Sequence, residues 1–145
     1  SEIEPSPGVF TFSALKDKAQ FRIGSLTFTS LKVPHLEPTF GIRVETEGKA
    51  VFYTSDTGYD TKLIAYAQEV DLLLAETTLL KTQAGEPVTH LTTHQVGQIA
   101  QEAGAKKLVL THLWPHFNRE QILAEVKEVY KGPTLLAAEN LRVGV

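Results

Sequence analysis

The sequence predicts a mixed α/β protein of 145 residues, in which an antiparallel β region is followed by strands alternating with helices. Two observations carry this. Before Asp56, apolar and β-branched runs are separated by short Gly-containing turns. After Asp56, cap residues introduce helical stretches, each followed by a short apolar run. A third observation concerns how the apolar runs end. Residues 26–33 close on Pro34-His35, residues 50–54 on Ser55-Asp56, residues 72–75 on Glu76, and residues 108–111 on His112. Buried strands carry their ends to one rim of a sheet, where α/β proteins build sites. Endings of types His, Asp, Glu and His suggest a pocket rich in oxygen and nitrogen, of the kind zinc, manganese or iron accepts.

Each element has a local reason. Residues 1–8 are polar and Pro-containing, an extended lead-in. Residues 9–12 and 21–23 are short β candidates, with a turn or short helix over 13–19 between them. Gly24-Ser25 turns the chain into a strand over 26–33, where Thr, Phe and Val favour the pleat. Residues 40–46 alternate again, Glu47-Gly48-Lys49 is hairpin-turn chemistry, and 50–54 returns. Asp60 can cap a helix to about Glu69 with Leu63, Ile64 and Ala67 on one face. Residues 70–75 form a short buried strand, and 77–89 a loop containing Gly85 and Pro87. Thr92 or Thr93 caps a helix to about Ala103, stopped by Gly104. Residues 107–111 form a strand. Asn118 caps a helix to about Tyr130, stopped by Gly132-Pro133. Residues 134–137 and 141–143 are expected to close the sheet as short strands.

The totals suit one domain over residues 1–145, with an ordinary globular composition of 42% hydrophobic and 21% charged residues. A net charge of -3 argues against a general nucleic-acid coat. Cysteine is absent, so any metal must be held by imidazole and carboxylate. No apolar stretch approaches the roughly 20 residues of a membrane span. A cytoplasmic protein is the expectation. Methionine is absent too, which suggests a piece of a longer polypeptide.

The candidate residues each have a plain and a chemical reading. His35, stiffened between Pro34 and Pro38, is a loop histidine or a ligand. Asp56, in Tyr53-Thr54-Ser55-Asp56-Thr57-Gly58, is a turn residue or a carboxylate that bridges two cations. Glu76 is the first solvated residue after a buried run, or a group that orients a histidine. His90 can donate a proton, and His94 is expected at the surface. His112 is the strongest candidate, because a histidine ending so apolar a strand needs a partner. His116, beside Pro115, is expected in a loop at the pocket edge. Gly-x-Ser-x-Gly, Gly-x-x-x-x-Gly-Lys and His-Glu-x-x-His do not occur. A phospho-accepting aspartate is disfavoured, because the later strand end holds His112 rather than a lysine.

The series His35, Ser55-Asp56-Thr57-Gly58, Leu74-Ala75-Glu76-Thr77-Thr78, His90-Leu91-Thr92 and Leu110-Thr111-His112 resembles the C-terminal half of the metallo-β-lactamase superfamily. Its ribonuclease Z-like branch fits best. The resemblance covers about residues 24–145 and implies an αββα sandwich, here only the half with a mixed sheet and helices on one face. It implies His35, Asp56 and His112 as metal ligands, with Asp56 bridging two divalent ions, zinc first and manganese or iron as alternatives. It implies Glu76 paired with His90, the latter protonating the leaving group, and a hydrolase whose attacking water is activated by two metals.

Two departures shape the expectation. The motif His-x-His-x-Asp-His is absent, so its ligands are expected on a missing N-terminal half or a companion chain, and this chain alone should bind two metals poorly. Only a hairpin separates His35 from Asp56, leaving no room for a tRNA-gripping arm, and Trp114-Pro115-His116-Phe117 stands where Ser-x-Arg-Tyr is expected. The expected substrate is therefore a small phosphodiester, a cyclic nucleotide or short nucleic acid, ahead of a lactone or thioester. The alternative is a non-catalytic half-domain whose uncovered sheet drives assembly with a partner or into a homo-oligomer.

Overall fold

A computed structural model describes residue 8, residues 12–85 and residues 89–145. Strands β1 (Ala19–Ile23), β2 (Leu26–Val33), β3 (Thr39–Thr46) and β4 (Lys49–Tyr53) form an antiparallel meander. Glu47 and Gly48 both take positive φ, 47° and 74°. That is what a two-residue turn needs if its twist is to match the flanking strands. From β4 onward the pairing is parallel: β5 (Leu72–Glu76), β6 (Leu108–Thr111) and β7 (Thr134–Leu136) each follow a helix, respectively α1 (Lys62–Tyr66), α2 (Thr93–Glu102) and α3 (Arg119–Val129). The seven strands lie in chain order across one sheet.

Alternation along the strands separates two faces. Ala50, Phe52, Leu73, Leu108 and Leu110 are buried with Leu63 of α1, Ile99 of α2 and Ile122 of α3, so the helices share one face. The α2 and α3 helices approach closely at Gly97, where a Cβ would meet the Val129 Cβ at 3.0 Å and the Val126 carbonyl at 3.1 Å. Thr92 caps α2 reciprocally with Gln95, and the Asn118 side chain accepts from the N–H groups of Glu120 and Gln121 to cap α3. The residues in between, Val51, Tyr53, Leu72, Leu74 and Val109, pair across the opposite face, which continues to Phe21 stacked on Phe28. Phe21, Tyr53 and Leu135 are exposed there.

Several expectations need correction. The helix expected from Asp60 to Glu69 is the five-residue α1. The Asp60 carboxylate accepts from Lys62 N–H at 2.9 Å as expected, but the chain turns at Glu69, with φ 52°, to enter β5. Of the turn or short helix expected over 13–19, the turn forms, closed by Ala19 N–H donating to the Lys16 carbonyl at 3.1 Å, and the helix does not. Instead Lys18 N–H donates to the Ser30 carbonyl and the Asp17 carboxylate accepts from Lys32 N–H, which anchors this stretch against β2. Residues 141–143 form no strand, because Asn140 at φ 60° and the Leu141 N–H to Ala138 carbonyl bond close a turn instead. The β candidate at 9–12 falls largely outside the described residues, and Phe12 itself is in no strand. Among the described residues, no helix is long and apolar enough to cross a membrane.

Candidate active site

Because β2 runs parallel to β4, four strands present their C-terminal ends at one rim. His35 follows β2, Asp56 follows β4, Glu76 ends β5 and His112 follows β6. Two of these ends bend sharply. Ser55 and His112 take φ of 55° and 53°, a region few side chains adopt and one that gathers at functional sites. Ser55 is held there by its hydroxyl, which donates to the Phe40 carbonyl at 2.7 Å.

Glu76 is the centre of the arrangement and has no solvent exposure. Its Oε1 accepts from Thr57 N–H at 3.0 Å and lies 2.8 Å from Nδ1 of His90. Its Oε2 accepts from Thr78 N–H at 3.2 Å and from the Thr78 hydroxyl at 2.9 Å. Buried carboxylate oxygens need hydrogen-bond donors, and both Glu76 oxygens have them. The Glu76 N–H is itself fixed, donating to Thr54 Oγ1 at 3.0 Å.

The remaining groups gather around His90. Its ring centroid lies 5.5 Å from that of His35 and 5.3 Å from that of His112. His112 Nδ1 is 3.5 Å from Asp56 Oδ1 and 2.9 Å from the Thr78 hydroxyl oxygen. Ligand atoms of His35, Asp56 and His90 lie within 4.8 Å of one another, as do those of Glu76, His90 and His112. His90 is therefore common to both groups, where the sequence reading had put His35, Asp56 and His112 in one. At the edge, burial first and then the carboxylates of Asp56 and Glu76 push the Tyr53 phenol above its ordinary pKa, against a lowering contact from Ser55. Tyr53 thus keeps its proton across the neutral range.

His94 lies away from this cluster, with Nε2 2.7 Å from Glu128 on the surface, and His116 is exposed. The loop bearing His90 is pinned at both ends: Thr93 N–H donates to the Leu79 carbonyl, and the buried Glu125 accepts from Lys81 N–H and the Thr93 hydroxyl. Sequence reasoning gave no role to Thr54, Thr57 or Thr78. The available signal was a run of hydroxyl residues at strand ends, since a buried hydroxyl needs a partner.

The donor set suits a divalent metal. His35 Nε2 is buried and has no hydrogen-bond partner among the described residues, while Asp56 and His90 offer ligand atoms beside it. An orphaned ring nitrogen in such company is what a cation would satisfy.

Fold and rim together define a metallo-β-lactamase-type architecture, and comparison with known proteins agrees. The model of a beta-lactamase superfamily domain matches residues 3–113. The chain belongs to the metallo-β-lactamase superfamily. It is 35% identical over 115 residues to the probable metallo-hydrolase YhfI of Bacillus subtilis, covering 79% of this chain and 47% of that protein. The crystal structure of YhfI, a metallo-beta-lactamase fold protein, superposes with a TM-score of 0.83 at 32% identity, covering 89% of this chain and 52% of that one. Ribonuclease Z of Thermobifida fusca is 35% identical over 103 residues, covering 68% of this chain and 32% of the enzyme. The chain spans about half the length, or less, of these relatives. Superfamily membership implies use of a divalent metal, and hydrolases are among the relatives.

Proposed function

We propose that this chain is the C-terminal half of a metal-dependent hydrolase acting on a small phosphodiester, a cyclic nucleotide or short nucleic acid, in the cytoplasm. The observation that carries this reading is the Glu76–His90 pair, 2.8 Å apart, beside a cluster of metal-capable groups. His35, Asp56 and His112 would hold two divalent ions, zinc first, with further ligands from an N-terminal half or companion chain. Such ions, when bound, lower the pKa of water and stabilise charge on the attacked centre.

The chain's own residues then have separate tasks. Glu76 Oε1 faces His90 Nδ1 at 2.8 Å and so fixes the ring's orientation. His90, part-exposed, is placed to give a proton to a leaving oxygen, a role worth about 10²–10⁴-fold in rate. Asp56, at 39% exposure with Oδ1 3.5 Å from His112 Nδ1, would present its carboxylate to a cation on the open side of the rim. Hydrolysis of bis(p-nitrophenyl) phosphate by the complete protein with added zinc or manganese tests the reading. His112→Ala should abolish turnover, and activity that survives it would place the site elsewhere.

A second reading, assembly without catalysis, is favoured by the apolar sheet face opposite the helices, where Phe21, Tyr53 and Leu135 are exposed. A companion sheet would bury it. Light scattering on residues 1–145 should then show association, and a stable monomer would argue against a missing partner for this face.

A further inference from the structure

Thr78 sits where one hydroxyl meets four neighbours, the most distant of them His90 Nδ1 at 3.5 Å. Its Oγ1 is 2.9 Å from Glu76 Oε2, 2.9 Å from His112 Nδ1 and 3.2 Å from the His112 carbonyl oxygen. Two of those neighbours can only accept, and the hydroxyl carries one proton. If that proton went to His112 Nδ1, Oγ1 would face the buried Glu76 oxygen at 2.9 Å with no hydrogen between them, a repulsive contact between oxygen lone pairs. If it goes to Glu76, as the 2.9 Å contact indicates, Oγ1 is left as an acceptor toward His112 and Nδ1 must be the donor. The residue is 1% exposed, so water does not relieve the conflict.

We infer that Thr78 is a positioning residue that relays the charge of Glu76 to His112 and fixes His112 as the Nδ1–H tautomer, leaving Nε2 as the nitrogen that binds metal. This rests on the reading of His112 as a ligand. One buried carboxylate then sets two imidazoles: His90 by direct contact, and His112 through a hydroxyl. Partners of this kind commonly change metal affinity 10–100-fold when removed.

The test has two readouts. Long-range proton–nitrogen NMR correlations of the metal-stripped complete protein, at alkaline pH where free imidazole is neutral, report which nitrogen of His112 is protonated. Nδ1–H in the wild type is expected; an Nε2–H ring overturns the inference without any variant having to fold. Competition with a chromogenic chelator reports zinc affinity. Thr78→Val, which keeps the shape and removes the hydroxyl, should weaken it about 10–100-fold. Thr78→Ser should restore both affinity and tautomer. A valine variant that matches the wild type in both measurements overturns the relay. His112→Ala separates the two readings, because undiminished zinc affinity there would overturn the ligand assignment itself, whatever the tautomer.

Discussion

Glu76 Oε1 lies 2.8 Å from His90 Nδ1, on a carboxylate wholly shielded from solvent. The other contacts of that carboxylate come from the chain segments that follow Asp56 and Glu76. It therefore ties the loop after β4 to both ends of the connection between β5 and α2. Its loss should affect both the chemistry and the fold.

Glu76→Gln puts an NH₂ group against N–H donors of Thr57 or Thr78. Each donor left unsatisfied in a buried site costs about 1–3 kcal/mol. The variant should show a clear fall in melting temperature by calorimetry, together with a drop in kcat of about 10² or more. Unchanged stability would mean that the carboxylate is not clamped as described.

His90→Ala distinguishes proton donor from ligand. His90 lies within reach of both clusters of ligand atoms, yet its Nδ1 is engaged by Glu76. The expected outcome is a kcat lowered about 10²–10⁴-fold with zinc content unchanged by elemental analysis. His35→Ala should lose zinc. Zinc lost from the His90 variant as well would make that ring a ligand.

At the opposite rim of the sheet, just before β5, Asp71 accepts from Ala50 N–H at 2.9 Å and from Lys106 at 3.0 Å and Lys49 at 3.2 Å. The backbone bond first, then Lys106 and Lys49, hold its carboxyl well below the usual carboxylate range, against the opposing effect of burial. A folded-state pKa below the unfolded value of about 3.9 means stability present above that pH and lost as pH falls further. Asp71→Asn should therefore melt lower than the wild type at pH 7. The difference should narrow below about pH 4 in thermal melts recorded across the acid range. A constant gap would exclude this linkage.

Gly41 tests the packing of β3 on β4. An added Cβ would lie 2.9 Å from Phe52 Cε2 and 2.9 Å from the Tyr53 carbonyl. Gly41→Ala should lose about 1–3 kcal/mol in urea denaturation through overpacking. A neutral result would show that the Phe52 ring moves aside easily.

Much of this was legible in the sequence for identifiable reasons. Alternation and Glu47-Gly48 marked the meander, and Thr92, Gly104 and Asn118 marked two helices, because caps and turns are local chemistry. The ends at His35, Asp56, Glu76 and His112 were visible because an apolar run that stops on a ligand type is a one-dimensional signal. The hydroxyl of Thr78 was not legible, since it matters only through groups two and 34 positions away. The shortness of α1 was also hidden. Nothing in residues 60–69 announces that the chain must turn at Glu69 to place Asp71 beside Ala50. For residues 141–143 the apolar pattern was real, but no neighbour offers a ladder after the turn at Asn140.

The unbroken strand order, β1 through β7, has a kinetic consequence. Every new strand docks beside the one synthesised just before it: the β1–β4 meander closes through short connections, whereas β5, β6 and β7 each wait for a helix-containing crossover. Such a sheet can grow during translation, from the amino end toward the carboxyl end. His35 emerges early and His112 late, so the rim is complete only after β6 has been laid down. A ribosome stalled before residue 108 would hold a nascent sheet that lacks His112, one of the proposed ligands.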